Sequence, residues 1–227
     1  MIYQVSVCTG NSGRSPVLAA YVQDRFSAEG LTDRFGTRSA GTLVAEITAG
    51  LTVPSLLYVL SLGKKRPDIF TEEDYTMVWR YAEMKPDQIP VNKLDKVRHL
   101  ANHASHVFHS EELSFRAEVP RKFGIKTPIK QSQDPIAPSL DDAVVLTVAD
   151  RNTEATQKAY DQAKLAVPPT IATLGRYIGK TESPDVPNAF GNRDPKVYFG
   201  SIDAMLHMAH DAVPRIIEEL EARSRTP

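Results

Sequence analysis

Cysteine occurs only once in the sequence, at position 8. A single cysteine excludes an internal disulfide framework, and chains without disulfides are typical of reducing compartments. The sequence also lacks a segment that resembles a signal peptide and an apolar run long enough to span a bilayer. We therefore expect a cytoplasmic protein with no membrane partner.

An excess of charge of either sign is lacking too, because 27 Lys and Arg residues stand against 28 Asp and Glu residues, for a formal net charge of −1. This balance supplies no overall field for nucleic acid or for an anionic membrane, so any anion must bind at a local site. The 227 residues, 41% of them hydrophobic and 24% charged, are ample for the core of one large domain, alone or with an insertion.

The N-terminal stretch has the pattern of such a local anion site. Val5 and Val7 fall on one face of an apolar segment, which predicts a strand over 2–7. A loop of small residues follows at 9–13, and Ser15-Pro16 then suits the cap and first turn of a helix. Glycines let backbone N–H groups curl around an anion, and the helix N-terminus directs its positive dipole end toward the same place.

Cys8 precedes this loop and Arg14 ends it, in the spacing Cys-x5-Arg. A helix N-terminus and a nearby guanidinium both favour the thiolate, which is the nucleophilic form of cysteine. The planar fork of Arg14 suits two oxygens of a phosphoryl group. The pattern predicts attack of the Cys8 sulfur on phosphorus and a cysteinyl-phosphate that water removes. A buried structural cysteine fits the same spacing, but the strand, the loop and the Ser-Pro pair together favour the nucleophile.

Two segments of the sequence resemble the low-molecular-weight protein tyrosine phosphatases, whose scaffold arsenate reductases and protein-arginine phosphatases share. They are Cys8-Thr-Gly-Asn-Ser-Gly-Arg14-Ser15-Pro16 and Ser39-Ala40-Gly41-Thr42. The resemblance implies an α/β fold, with a four-stranded parallel sheet flanked by helices and the phosphate-binding loop after strand 1. It also implies that Asn11 holds the loop conformation and that Ser15 donates a hydrogen bond to the thiolate. The predicted substrate-binding residues are Thr9, Gly10, Asn11, Ser12, Gly13 and Ser15.

The sequence departs from this family at Gly13, where many members carry a second cysteine that protects the first. Downstream, apolar spacing predicts a helix over 16–29 that ends at Gly30. A second strand is expected to end at Ser39, in the crevice that Cys8 faces, because the carboxyl ends of parallel strands share one edge. Ser39 is therefore expected to support the loop from behind, although a serine in a tight strand-to-loop turn is equally consistent.

Residues 43 to about 117 do not follow the family. They contain an apolar segment (51–62), a helical segment with an acidic start (71–84) and a long helical stretch (92–118). We interpret them as a helical insertion at about 45–117 in a single α/β phosphatase-like domain of residues 1–227. A cap beside the site, a dimer surface and an elaboration without catalytic role all fit this interpretation.

Histidines in the insertion have the helical spacing that metal ligands use, at positions 99, 103 and 106, and His109 follows them. No cysteine and no His-Glu-x-x-His pattern accompanies them, and a mixed polar helix face explains them better than a metal site does. We therefore predict no metal site and no cofactor.

For the general acid of the predicted site, the sequence allows three alignments. The family places an Asp-Pro pair on a loop before its last helix, with aromatic residues after it. Asp194-Pro195, before Tyr198, Phe199 and a helix predicted over 202–223, matches in order and distance. In a rival alignment Asn188-Ala189 takes this position and the acid is lost, while Asp134-Pro135 falls too early. The favoured catalytic set is Cys8, Arg14 and Asp194.

These features predict a phosphatase that hydrolyses phosphomonoesters, protein phosphotyrosine first, with a phosphorylated protein or a small phosphomonoester as its partner. Tyrosine-specific relatives usually have a bulky aliphatic residue at the position of Ser12, so protein-arginine phosphatase activity is an alternative. Arsenate reduction is a second alternative, and with one cysteine it needs a low-molecular-weight thiol. A phosphate- or phosphoprotein-binding module without turnover is the third.

Overall fold

A four-stranded parallel sheet carries the N-terminal loop. The structure is a computed structural model that describes residues 1–131 and 133–225. The strands are β1 (Ile2–Cys8), β2 (Phe35–Gly41), β3 (Asp142–Thr147) and β4 (Thr170–Thr173), in the order β2-β1-β3-β4. The helices are α1 (Arg14–Ala28), α2 (Val44–Ala49), α3 (Val53–Gly63), α4 (Glu72–Ala82), α5 (Leu94–Phe123), α6 (Asp150–Ala163), α7 (Leu174–Tyr177) and α8 (Pro195–Ser224), with 3₁₀ turns at Pro86–Gln88 and Val91–Lys93.

The register of the sheet brings the carboxyl ends of its strands to one edge. Cys8 pairs with Gly41 at the end of β2, and Thr147 at the end of β3 pairs with Thr173 at the end of β4. The loop that follows β1 therefore lies in the crevice where open parallel sheets bind their ligands. This arrangement confirms the predicted fold class and the position of the loop after strand 1.

Helices cover both faces of the sheet because the strand residues that point to each face are apolar. Val144 and Leu146 of β3 belong to a buried cluster with residues of α1 and α8. Val145, on the opposite face, belongs to a second cluster with Val5 and with Tyr160 of α6. This alternation fixes the strand register, since a slip by one residue would exchange the two faces.

Helix α1 begins two residues earlier than its sequence predicts. Its N-cap is Gly13, which makes no side-chain capping bond, and Ser15 lies inside the first turn. The prediction of Ser15 as the cap is wrong because its hydroxyl is used elsewhere in the loop. The predicted end is confirmed, since Gly30 has a φ of +69° and the Leu31 N–H bonds the Phe26 carbonyl at 2.8 Å.

The chain forms two compact units. The sheet unit comprises Met1–Val44, Phe115–Ala189 and the residues from Asp194 onward. The helical unit comprises Ala45–Ser114 and Phe190–Arg193. Helix α5 therefore contributes residues to both units, and its last part, from Phe115, belongs with the sheet.

The helical unit has a core of its own, built from apolar residues of α3, α4 and α5. At its edge the buried Arg66 forms ion pairs with Asp68 at 2.9 Å and with Glu111 at 2.8 Å. These contacts raise the pKa of Arg66 and keep it charged. Phe190 packs against Phe108 with ring centroids 5.7 Å apart, which attaches the segment Phe190–Arg193 to this unit. The buried core residues are Leu56, Leu57, Val59, Leu60, Phe70, Val78, Tyr81, Ile89, Val97, Leu100, Ala101, Ala104 and Phe108.

None of the helices in the described ranges is both long and apolar enough to cross a membrane.

Candidate active site

Cys8 ends β1 with its side chain buried, only 4% of the residue being exposed. Its sulfur lies 3.0 Å from the Ser15 hydroxyl, which donates to it from the first turn of α1. The same hydroxyl lies 2.9 Å from Asn11 Oδ1 and 3.3 Å from the Ala40 carbonyl. A serine hydroxyl has one proton, so these acceptors share it, and the share taken by sulfur grows as the sulfur becomes anionic. Ser15 thus contacts the sulfur as the family resemblance implied.

Asn11 holds the tightest turn of the loop. Its φ of +48° lies in the left-handed region, where asparagine is more at ease than most residues. Its Nδ2 donates to the Ser39 carbonyl at 3.3 Å. Ser39 therefore meets the loop through its backbone, while its buried hydroxyl has no hydrogen-bond partner among the described residues.

The carbonyl groups of the loop are held from outside by donors on other elements. In a trans peptide the C=O of one residue and the N–H of the next point in opposite directions. Holding a carbonyl outward therefore turns the following N–H inward. The Cys8 carbonyl accepts the Thr42 N–H at 3.0 Å, and the Thr9 carbonyl accepts the Leu43 N–H at 3.0 Å. The Gly10 carbonyl accepts a bond from Gln133 Nε2 at 2.5 Å, and the Ser12 carbonyl accepts one from Arg116 Nη1.

From these four bonds we infer that the N–H groups of residues 9, 10, 11 and 13 face the inside of the loop, which leads into the N-terminus of α1. Such a nest binds an oxyanion, because the partial positive charges of several amides converge on one point. Thr9 is held from a further side, since Asn152 Nδ2 donates to its hydroxyl at 3.2 Å and to the Thr42 hydroxyl at 3.2 Å.

Gly41 explains the Ser-Ala-Gly-Thr motif. A Cβ at this position would lie 2.7 Å from Val44 Cγ2, 2.8 Å from the Asn11 nitrogen and 2.9 Å from the Thr9 carbonyl oxygen. Two of these atoms belong to the backbone of the loop, which has no room to retreat. A glycine is therefore needed where β2 ends against the loop.

We expect Gly41→Ala to displace the loop, to lower the free energy of unfolding by about 1–3 kcal/mol and to weaken phosphate binding by roughly tenfold. Gly200→Ala is the matched control, because a Cβ at Gly200 in α8 meets nothing within 4 Å. Urea unfolding and calorimetric titration with inorganic phosphate measure the two effects. Equal phosphate affinity in the two variants would contradict the close-approach account of Gly41.

Arg14 is turned into the protein rather than outward. Only 6% of the residue is exposed, and its guanidinium donates to the Val186 carbonyl at 3.2 Å and to Asn188 Oδ1 at 2.9 Å. Two partners on one segment orient the planar fork. Arg14 is therefore held by the segment that contains Val186 and Asn188, while Ser15 contacts the Cys8 sulfur.

The segment 184–188 that faces Arg14 is itself fixed to the end of the sheet. The Val186 N–H donates to the Val148 carbonyl at 2.8 Å, and the Gly175 N–H donates to the Pro184 carbonyl at 3.2 Å. The carboxylate of Asp185 accepts the Asp150 N–H at 2.8 Å. These bonds fix the backbone of the segment, so the Asn188 side chain that contacts Arg14 is held in place.

Asp194 lies at the N-cap of α8, where its exposed carboxylate accepts the Lys196 N–H at 2.8 Å. The helix begins at Pro195, ahead of the predicted start at 202, because proline suits the first helical position. The Asp-Pro pair is thus a helix start, and the side chain that contacts Arg14 is Asn188 of the rival alignment. Tyr198 is buried against Phe115 rather than free to flank a substrate ring.

Two other carboxylates near this edge of the sheet are committed to structural bonds. Asp150 accepts bonds from Arg176 at 2.9 Å and from Thr173, which hold its pKa at about 2, so it is ionised at neutral pH and is no proton donor. Asp134, of the third Asp-Pro pair, accepts the Gly41 N–H through its carbonyl at 2.9 Å and pairs with Lys130.

In the described ranges no group of three or more His, Cys, Asp or Glu side chains is arranged to hold a metal ion. His103 of the predicted histidine face lies 3.0 Å from the Ile69 carbonyl, within the helical unit.

Several residues of the loop surroundings could not be found by pattern. Arg116 and Gln133 are distant in sequence from the carbonyls that they hold, and Arg116 falls inside the predicted insertion. Asn152 follows a buried strand, so the sequence places it at the edge of the sheet where the loop lies, but it does not indicate what Asn152 does there. Of these surroundings the sequence indicated only the segment Asp185-Val186-Pro187-Asn188, because the rival alignment places it at the position of the general acid.

The fold is similar to that of solved phosphatases, at low sequence identity. The YwlE arginine phosphatase from Geobacillus stearothermophilus is 17% identical with a TM-score of 0.52, over 97% of each chain. The arginine phosphatase DARP from Drosophila is 13% identical with a TM-score of 0.52, over 96% of each chain. A low-molecular-weight protein tyrosine phosphatase from T. tengcongensis is 14% identical with a TM-score of 0.50, over 95% of this chain and 99% of that one.

Family models and curated protein sequences give no match to this chain. Its likeness to solved structures is therefore one of fold, and it agrees with the two sequence motifs and with the parallel sheet that carries them. The chain thus has the fold of the low-molecular-weight protein tyrosine phosphatases and of the arginine phosphatases.

Proposed function

We propose that this protein hydrolyses phosphomonoesters, protein phosphotyrosine first, with Cys8 as the nucleophile. The observation that carries the proposal is the Ser15 hydroxyl 3.0 Å from the Cys8 sulfur, within a loop whose carbonyls are held outward. A hydroxyl donor and a ring of N–H groups stabilise negative charge on sulfur and then on a phosphoryl group in the same place. Arg14 supplies the fork that binds two phosphoryl oxygens as the transition state forms.

The reaction needs two displacements at phosphorus. In the first, the sulfur forms an S–P bond while the P–O bond to the leaving group breaks, and the leaving oxygen takes a proton from solvent. In the second, water forms a new P–O bond while the S–P bond breaks, which releases inorganic phosphate and restores the thiolate. No cofactor enters either step.

The choice of phosphotyrosine follows from what faces Arg14. Asn188 has an amide where a carboxylic acid would supply the proton. Without that proton the rate depends on how stable the departing oxyanion is, and a phenol with a pKa of about 10 leaves far more readily than an alcohol. Phosphoarginine stays the closest alternative substrate. Ser12 is a small, buried residue, so the loop has no bulky side chain at this position that would select an aromatic substrate.

Arsenate reduction is a weaker alternative for the same site. Arsenate has the shape and charge of phosphate, so the nest would accept it. Cys8 is the sole cysteine, so the relay needs an external thiol in place of a second protein cysteine. Arsenite formation that depends on an added thiol would favour this activity.

A phosphoryl-binding module without turnover is the second candidate function. The amide of Asn188 beside Arg14 favours it specifically, because an amide neither donates a proton to a leaving group nor takes one from water. Such a protein would bind phosphate or a phosphopeptide through the same nest and leave it intact.

We further propose that the helical unit is an insertion in one phosphatase-like domain. Both of its segments, Ala45–Ser114 and Phe190–Arg193, lie between segments of the sheet unit in the chain. The second segment begins at Phe190, two residues after Asn188 in the sequence.

The assignment of Asp194 as proton donor stays a prediction, and Asp194→Asn tests it cleanly. Asparagine caps a helix as well as aspartate does, so the substitution keeps the Lys196 bond and removes only the acid. Because the Arg14 guanidinium contacts the amide of Asn188, we expect phenyl phosphate hydrolysis to stay within about threefold of wild type. A fall of about 10²-fold or more would show that Asp194 supplies the proton after all.

Initial rates on matched phosphotyrosine and phosphoarginine peptides, with phosphate affinity measured in parallel, test the proposal as a whole. We expect hydrolysis of the phosphotyrosine peptide, with the phosphoarginine peptide slower. Tight phosphate or phosphopeptide binding without hydrolysis across a pH series would support the binding module instead. Faster hydrolysis of phosphoarginine would reassign the substrate.

A further inference from the structure

Arg116 is a buried cation behind the phosphate loop. It lies in the last part of α5, and only 3% of the residue is exposed. Its Nη1 donates to the Ser12 carbonyl, and its Nη2 donates to Gln131 Oε1 at 3.1 Å. Both bonds are made within the sheet unit. A buried guanidinium is retained only where its donors are well used, so the bond to the loop calls for an explanation.

The bond to Ser12 determines the direction of one peptide group of the nest. The Ser12 carbonyl points outward to Arg116, so the N–H of Gly13 points inward. Gly13 is also the N-cap residue of α1, and its N–H therefore lies where the helix dipole reinforces it. The carbonyls of Cys8 and Thr9 are held by backbone groups, whereas those of Ser12 and Gly10 are held by side chains.

Resting on the proposed function, we propose that Arg116 is a positioning residue for phosphoryl binding, which acts through the Ser12–Gly13 peptide. The guanidinium fixes that peptide so that the Gly13 N–H meets an oxygen of the bound group. A charged donor does this better than a neutral one, because a charge-assisted bond is about twice as strong and polarises the peptide that accepts it. Arg116 touches no reacting atom.

A merely structural role makes a different prediction. If Arg116 only stabilised the fold, its loss would lower the melting temperature and the fraction of active protein. The apparent kcat would then fall, while KM and phosphate affinity would stay unchanged. A positioning role instead raises KM for phosphotyrosine peptide and the Kd for phosphate together, because both ligands use the same N–H group.

The test compares Arg116→Met, Arg116→Lys and the control Arg121→Met in the full chain. Arg121 lies on the same helix, has a side chain 86% exposed and forms only a loose pair with Glu118 at 3.7 Å. Calorimetric titration with inorganic phosphate gives Kd, and peptide kinetics give KM and kcat. We expect Arg116→Met to weaken phosphate binding about tenfold, Arg116→Lys to recover part of the loss, and Arg121→Met to match wild type.

Unchanged phosphate affinity in Arg116→Met would overturn the inference and leave the proposed function standing. Absence of phosphate binding in wild type would overturn both. If Arg116→Met fails to fold, Arg116→Lys decides, since lysine keeps the charge but not the fork. A lysine variant with wild-type affinity and wild-type KM would then count against positioning by the guanidinium.

Discussion

Cys8→Ser is expected to lower the rate of phosphotyrosine hydrolysis by about 10⁴-fold or more while phosphate still binds. Serine is a far weaker nucleophile, because its hydroxyl stays protonated at neutral pH and no general base lies among the described contacts of Cys8. The inward N–H groups and Arg14 remain, since their positions depend on partners outside the loop. Turnover and binding are therefore expected to separate in this one variant.

Timed assays of phosphate release from a phosphotyrosine peptide measure the rate of hydrolysis, and calorimetric titration with inorganic phosphate measures binding. Cys8 is well chosen for this test because it is the sole cysteine, so no other thiol in the chain takes its place. Hydrolysis at the wild-type rate in Cys8→Ser would remove sulfur from the mechanism. Loss of phosphate binding without loss of folding would instead show that the sulfur itself builds the nest.

Asn188→Asp is expected to raise the rate of phenyl phosphate hydrolysis by about 10²-fold. The new carboxylate would lie near Arg14, where Asn188 Oδ1 now accepts a bond from Nη2 at 2.9 Å. When a dianionic phosphoryl group occupies the guanidinium, the carboxylate is displaced from that bond, takes up a proton from solvent because of the nearby negative charge, and gives this proton to the leaving oxygen. Afterwards, as a carboxylate, it takes a proton from the attacking water.

The gain should depend on the leaving group, which separates this effect from a general improvement of the site. We expect a large increase with phenyl phosphate and a smaller one with para-nitrophenyl phosphate, whose phenol leaves without help. Asn188→Ala is the control, since it removes the amide and adds no acid. An aspartate variant no faster than the alanine variant on either substrate would contradict the position assigned to residue 188.

The parts of the site that sequence could predict are those formed by neighbours in the chain. Cys8, Asn11, Arg14 and Ser15 belong to one loop, so their spacing contains much of their geometry, and the Ser15 hydroxyl contacts both the Cys8 sulfur and Asn11 Oδ1. Even here a local rule was overridden. Serine is a residue type typical of helix caps, but the Ser15 hydroxyl bonds the Cys8 sulfur and Asn11 instead. Gly13 takes the cap position.

The residues that sequence could not supply come from distant elements. Arg116 reaches Ser12 from a helix that begins in the helical unit, and no local pattern distinguishes it from its exposed neighbour Arg121. The sequence left the choice between Asp194-Pro195 and the rival alignment open for a related reason, because the same dipeptide serves a catalytic loop and a helix start equally well. The contact of Asn188 with Arg14 is a tertiary one, which no local pattern predicts.

If Cys8 is the nucleophile, it becomes covalently phosphorylated during turnover, and rapid-quench mass spectrometry of the Cys8 peptide detects that phosphoryl group. With para-nitrophenyl phosphate the first displacement proceeds without a proton donor, whereas the side chain of residue 188 that contacts Arg14 is an amide, which takes no proton from the attacking water. We therefore expect a burst of para-nitrophenol and accumulation of one phosphoryl group on Cys8. Steady hydrolysis with the Cys8 peptide unmodified at every time point would contradict it.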